Sequence, residues 1–168
     1  AAGRWIHERV PAGASIGLER GGFSLWQTVS AQRYRHVLIE TGSHFGSRGY
    51  LSCRAAARSL QARLLEIDYL VIADENRSRQ FRSAPKLYPA LSSFYEHLPA
   101  GGVGYEPVAR FKQIPVLFGV RFDTGETDPS FAGYDHPEVM ILRRKSGFPA
   151  EYAAWTEMLL QDERCVDG

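Results

Sequence analysis

Hydrophobic positions along this chain alternate between a period near 3.6 and a period of 2, and the changes of period divide it into helices and strands. Over the first ten residues Ala2, Trp5, Ile6 and Val10 recur at helical spacing, until Pro11-Ala12-Gly13 breaks the pattern. Ser15 to Glu19 then reads as a short strand, Phe23 to Arg35 as a mixed segment with a short helix, and His36 to Glu40 as a second strand ended by Thr41-Gly42-Ser43. From Tyr50 to Glu66, Leu51, Ala55, Leu60 and Leu64 gather on one side of a helical wheel and Arg54, Arg58, Gln61 and Arg63 on the other, the pattern of a helix lying on a sheet.

Tyr69 to Asp74 is the most apolar strand candidate, and a strand apolar on both faces suits the centre of a parallel sheet. Tyr88-Pro89 opens another helix, with Leu91, Phe94, Tyr95 and Leu98 as its apolar face and Pro99 and Gly101-Gly102 as its end. Beyond it, Tyr105 to Gln113, Val116 to Phe122 and Glu138 to Lys145 read as strands separated by turns, which implies antiparallel pairing. A helix from Pro149 to about Arg164 closes the chain. The expected fold is an α/β, three-layer, Rossmann-like sandwich around a mixed sheet, its parallel strands from the first half and its antiparallel strands from the second. Residues 1–145 form the α/β domain and 146–168 a helical extension packed on it.

Composition narrows the partners. With 168 residues and 44% hydrophobic positions, one domain with one core is the natural size class. Twenty Lys and Arg against 19 Asp and Glu, interleaved in sign, leave no basic footprint for a nucleic acid. The longest apolar runs, such as Ile114 to Val120, fall far short of the roughly 20 residues a membrane span needs. Cys53 and Cys165 belong to no metal or CxxC spacing; they can pair in an oxidising compartment or stay as two thiols in a reducing one. No cofactor motif is present: Gly101-Gly102-Val103-Gly104 follows a helix and precedes a strand, the reverse of a phosphate loop. The chain opens at Ala1 without a methionine, in the manner of a piece cut from a larger protein, although methionine removal gives the same start.

Three stretches carry a resemblance. Ala2-Gly3-Arg4-Trp5-Ile6 followed by Val10 to Ile16, then Asp68 to Ala73 with Asn76-Arg77, Leu87-Tyr88-Pro89 and Phe94-Tyr95, and last Tyr105 to Phe111 with Ser130-Phe131 and Tyr134-Asp135-His136-Pro137-Glu138-Val139, agree with one another in order and spacing. Together they resemble the region after the last membrane span in glycosyltransferase family 39-like membrane proteins, relatives of the dolichyl-phosphate mannosyltransferases. That resemblance implies an extracytoplasmic domain on the outer face of the cytoplasmic membrane. Its partners would be the membrane-embedded remainder of the parent protein and a sugar or lipid-phosphate-sugar ligand. The acidic catalytic residues of such enzymes lie between membrane helices, so no catalytic residue carries over, and the isolated domain is expected to be accessory. The charged run Glu75 to Arg79 and the segment Phe148 to Gly168 depart from the family pattern.

The alternative is a free-standing α/β protein that binds or hydrolyses a small molecule with carboxylates at its strand ends. Ligands of open α/β sheets sit beyond the carboxyl ends of the parallel strands, which points to Glu19, Glu40, Asp74, Asn76 and Arg77. Carboxylates there could hold sugar hydroxyls and Arg77 a phosphate; the simpler reading is that these residues cap helices and solvate loops. His136 could act as a general base beside Asp135, against the simpler reading of a pre-proline turn. Ser43-His44 and Ser47 lack a nucleophile elbow. Trp5, Trp26, Tyr88, Phe94, Tyr95 and Trp155 could stack on sugars, but helical spacing assigns most of them to the core, Trp26 excepted.

Overall fold

The computed structural model describes residues 1–19, 28–40, 52–73, 75–112, 116–117, 120–121 and 138–165, with backbone only at 75–77, 116–117 and 120–121. The strands are β1 (Ser15–Glu19), β2 (Arg35–Ile39), β3 (Tyr69–Ile72), β4 (Tyr105–Phe111), β5 (Val116–Leu117), β6 (Val120–Arg121) and β7 (Val139–Arg144). The helices are α1 (Ala2–Arg9), α2 (Cys53–Leu64), α3 (Glu75–Ser83), α4 (Pro89–His97) and α5 (Phe148–Gln161).

Five strands form one mixed sheet in the order β2-β1-β3-β7-β4. β1 runs parallel to both β2 and β3, whereas β7 runs antiparallel to both β3 and β4. The first-half strands are thus parallel and the second-half strands antiparallel, as the sequence implies. β4 and β7 pair although β5 and β6 lie between them in sequence; β7 lies inside and β4 takes the edge, where Pro107 is tolerated. Within the stretch Val116 to Phe122, expected to be one strand, the described residues instead form two short antiparallel strands, with Val116 opposite Arg121 and Leu117 opposite Val120.

Strand alternation sends side chains to two faces, and each face is covered. On one face Ile39, Leu70, Ile72, Leu142 and Tyr105 pack with Ala57, Leu60 and Leu64 of α2, Leu91 and Phe94 of α4, and Phe148, Tyr152, Trp155 and Leu159 of α5. On the other, Ile16, Leu18, Val71 and Ile141 pack with Ala2 and Ile6 of α1. Each large apolar side chain buried this way contributes roughly 1.5–3 kcal/mol, which is why the amphipathic pattern dictates the layers.

Local chemistry sets the ends. Ser52 caps α2 by accepting from the backbone N–H of Ala55 at 3.3 Å, so the helix begins later than its apolar pattern at Tyr50. The carboxyl end of α1 is held by Tyr34, whose buried hydroxyl donates to the carbonyl of Ile6 at 3.1 Å. Of the segment from Phe23 to Arg35, expected to be mixed with a short helix, residues 23–27 lie outside the described residues, and Ser30 to Tyr34 is a turn. Helix α3 has no counterpart in the hydrophobic pattern: of its nine residues only Phe81 is apolar.

The cysteines are joined. Cys53, the first residue of α2, forms a disulfide with Cys165, in the 3-10 turn (Glu163–Cys165) that follows α5. Two buried tyrosines reinforce the same side of the sheet. Tyr152 donates to the carbonyl of Ala57 at 2.8 Å, and Tyr105 to the carbonyls of Leu64 at 2.8 Å and Ile67 at 2.9 Å. Burial pushes both hydroxyls well above the usual tyrosine range.

Candidate functional site

The carboxyl ends of β1, β3 and β4 lie at one end of the sheet, because β4 is antiparallel to β7 and β7 to β3. At this end β1 finishes in Glu19, which is only 2% exposed although charged residues are seldom buried without a partner. The partner is on α4: the Tyr95 hydroxyl donates to Glu19 Oε1. Tyr95 is itself fixed by aromatic neighbours, stacked on Phe81 of α3 at 5.9 Å and edge-on to Phe94 at 5.3 Å. Proline at the start of α4 and glycine beyond its end fix where the helix sits, and so place Tyr95 above the end of β1.

Beside Tyr95 opens a pocket of about 160 Å³. Ile72, Met140, Leu98 and Pro99 supply its apolar part, and Ser78, Arg82, Tyr95, Arg110 and Glu138 its polar part. Ile72, Met140 and Arg110 belong to one row across the sheet, since Ile72 is opposite Met140 and Met140 opposite Arg110.

Arg110 reaches this row through an irregularity. From Tyr105, simple alternation would turn Arg110 to the α1 face. The β4–β7 register shifts between Pro107 and Ala109, so the bulged strand moves Ala109 and Phe111 to the α1 face and Arg110 to the pocket. There Arg110 bonds through Nε to the carboxylate of Glu138, just before β7, whose side chain is 11% exposed against 66% for Arg110. Arg82 projects from α3, its Nε donating to the carbonyl of Ser78 at 3.4 Å. Among the described residues Arg82 makes no ion pair.

Of the expected ligand-site residues, Glu19, Glu40, Asn76 and Arg77 fall among the described residues. Glu19 is a core carboxyl bound to Tyr95, and Glu40 follows β2 half-buried. Asn76 and Arg77 lie in the first turn of α3, their side chains outside the described residues, as are Asp74, His136, Ser43, His44, Ser47 and Trp26 entirely. The strand-end rule points to the same end of the sheet as this pocket, but the pattern gives no reason to place Arg82, Arg110 and Glu138 there, and it offers Tyr95 only as an aromatic. Arg82 sits on a helix without an apolar stripe, and Arg110 is brought over by a bulge that strict alternation does not foresee. Phe94, Tyr95 and Trp155 are buried core residues, and Trp5 and Tyr88 are partly buried against the two cores.

Among the described residues no group of three His, Cys, Asp or Glu lies close enough to hold a metal ion. No described helix is long and apolar enough to cross a membrane. Comparison with known proteins gives no match: no family model, no curated protein and no solved structure is significantly similar to this chain.

Proposed function

We propose that this chain is an extracytoplasmic accessory domain of a membrane glycosyltransferase, of the family 39-like kind, that takes sugar from a polyprenyl-phosphate donor. The observation that carries the reading is the disulfide between Cys53 and Cys165. Disulfides persist in oxidising compartments and are rare where glutathione and thioredoxin keep thiols reduced. A domain on the outer face of the cytoplasmic membrane would fold under those oxidising conditions. The carboxyl at the end of β1 weighs against the hydrolytic alternative. Buried and bonded to Tyr95, Glu19 is placed to hold α4 on the sheet rather than to meet a substrate. In this reading the sugar transfer belongs to the membrane-embedded part, and this domain shapes its outer face.

The test is the parent gene and the redox state of its product in the cell. Hydrophobic spans encoded upstream of Ala1, together with acid-trapped cysteines that resist a maleimide gel-shift reagent until reduced, are the expected results. A start codon at this position, or both thiols free in cells, overturns the proposal. The small-molecule-binding half of the alternative is favoured by one observation of its own, the pocket beside Tyr95.

A further inference from the structure

We propose that the pocket between α3, α4 and the β4–β7 pair binds a phosphate group carried on a small ligand. It has the composition such a site needs. Two arginines line it from different elements, Arg82 from α3 and Arg110 from β4. Arg110 is held by Glu138 through its Nε, and Arg82 uses its Nε on the Ser78 carbonyl. Among the described residues no partner takes the terminal nitrogens of either side chain, so both retain the ends that grip an oxyanion.

Glu138 does not spoil the site for an anion. Its single charge is matched by Arg110, and among the described lining residues Arg82 remains as one net positive charge. The ion pair also fixes Arg110, which is otherwise two-thirds exposed and would lose side-chain entropy on binding. Ile72, Met140, Leu98 and Pro99 form an apolar wall on which the carrier of the phosphate can pack.

Geometry selects phosphate over carboxylate. A carboxylate offers two coplanar oxygens that suit one guanidinium fork, whereas a tetrahedral phosphate presents oxygens in several directions and can meet forks from two elements. The volume sets the size. A cavity of about 150 Å³ accommodates benzene, so about 160 Å³ takes a phosphate with a few atoms of its carrier, and the remainder must extend into solvent. That chemistry is shared by a soluble sugar phosphate and a phosphomonoester lipid headgroup.

This site is independent of the membrane-enzyme reading, which stands or falls on the parent gene and the disulfide. The 168-residue chain is titrated with inorganic phosphate and with glucose 1-phosphate, followed by amide NMR shifts. Its sedimentation with phosphatidylcholine vesicles is measured with and without phosphatidic acid. Saturable binding in at least one arm is expected, weakened about tenfold or more by Arg82→Gln and by Arg110→Gln. Arg58→Gln, on the solvent side of α2, removes an equal charge elsewhere and should leave binding unchanged. Binding to the soluble phosphates places the carrier in solution; binding only to phosphatidic-acid vesicles places it in a lipid. Absence of saturable binding in every arm overturns the proposal. So does binding that Arg82→Gln and Arg110→Gln leave intact, or that Arg58→Gln weakens equally. Thermal melts of the variants confirm that the fold is kept, as expected for side chains on the surface.

Discussion

Tyr95 donates its hydroxyl to the carboxyl group of Glu19 across 76 positions of chain, and this bond ties α4 to the end of the central parallel strand. Both residues are nearly inaccessible, at 3% and 2% exposure, so water cannot replace the donor if it is lost. Tyr95→Phe should therefore destabilise the fold by about 1–3 kcal/mol, the cost of leaving a buried polar group short of a partner. Denaturant melts of Tyr95→Phe, Glu19→Gln and the double variant give the coupling energy. A value near zero would show that Glu19 relies on other groups.

The disulfide gives a second prediction. Joining Cys53 to Cys165 closes a loop spanning 112 positions, and a bond of this kind typically stabilises by roughly 2–4 kcal/mol, mainly by restricting the unfolded chain. The untreated protein should expose no free thiols and the reduced protein two. Reduction should lower the melting temperature by roughly 5–15 °C. Helix α5 should nevertheless stay docked, because Phe148, Tyr152, Trp155 and Leu159 are all at most 2% exposed and Trp155 Nε1 donates to Ser93 Oγ at 3.1 Å. Tryptophan emission that shifts to the red on reduction, before unfolding, would show that the disulfide alone holds the helix.

Much of this architecture is legible in the sequence, and its blind spots have identifiable causes. Leu70, Val71 and Ile72 are apolar on both faces because helices cover both, so β3 is recognisable as central from composition alone. Pro89 and Gly101 mark the ends of α4 by chemistry that needs no tertiary context. Helix α3 is invisible to periodicity since ENRSRQFRS presents one apolar side chain, and its place is secured by Phe81 packing against Tyr88 and Tyr95. Period-2 counting on β4 turns Arg110 away from the pocket, and only the pairing with β7 exposes the bulge that brings it back. Likewise, spacing leaves the two cysteines open, because their approach depends on α2 and α5 packing on the same side of the sheet.

At the opposite end of the strands Asp68 makes a pH-dependent anchor. Burial alone would raise its pKa, but hydrogen bonds from the N–H and hydroxyl of Ser15, at 2.9 and 2.7 Å, and the charges of Arg144 and Arg35 outweigh it. The carboxyl is held below its usual range. A carboxyl whose folded value is depressed contributes stability above its unfolded value and loses it as pH falls through the folded one. The contribution is therefore complete above about pH 4 and fades below it. With 43% of the side chain exposed, solvent screening limits the effect of Asp68→Asn to about 1 kcal/mol at neutral pH. Urea melts should show the variant and the parent converging in acid. A constant gap across that range would mean that the charge of Asp68 is not what stabilises the joint.

Gly104 and Gly13 separate backbone strain from crowding. Both hold positive φ, 80° and 84°, a region that costs a side-chain-bearing residue about 1–2 kcal/mol. A Cβ on Gly13 would meet nothing within 4 Å, so Gly13→Ala should cost that strain and no more. On Gly104 it would lie 2.5 Å from Cδ2 and 3.0 Å from Cα of Phe148, the buried residue that opens α5. The ring is 1% exposed and packs edge-on against Tyr105 at 5.6 Å, so it has no space to retreat into. Gly104→Ala should thus exceed Gly13→Ala by about 1–3 kcal/mol in denaturant melts, as overpacked core positions do. It should also loosen the start of α5, read as faster amide exchange there. Equal costs for the two variants would mean that α5 can shift away from the β4 turn, and that its docking rests on Tyr152 and Trp155 instead.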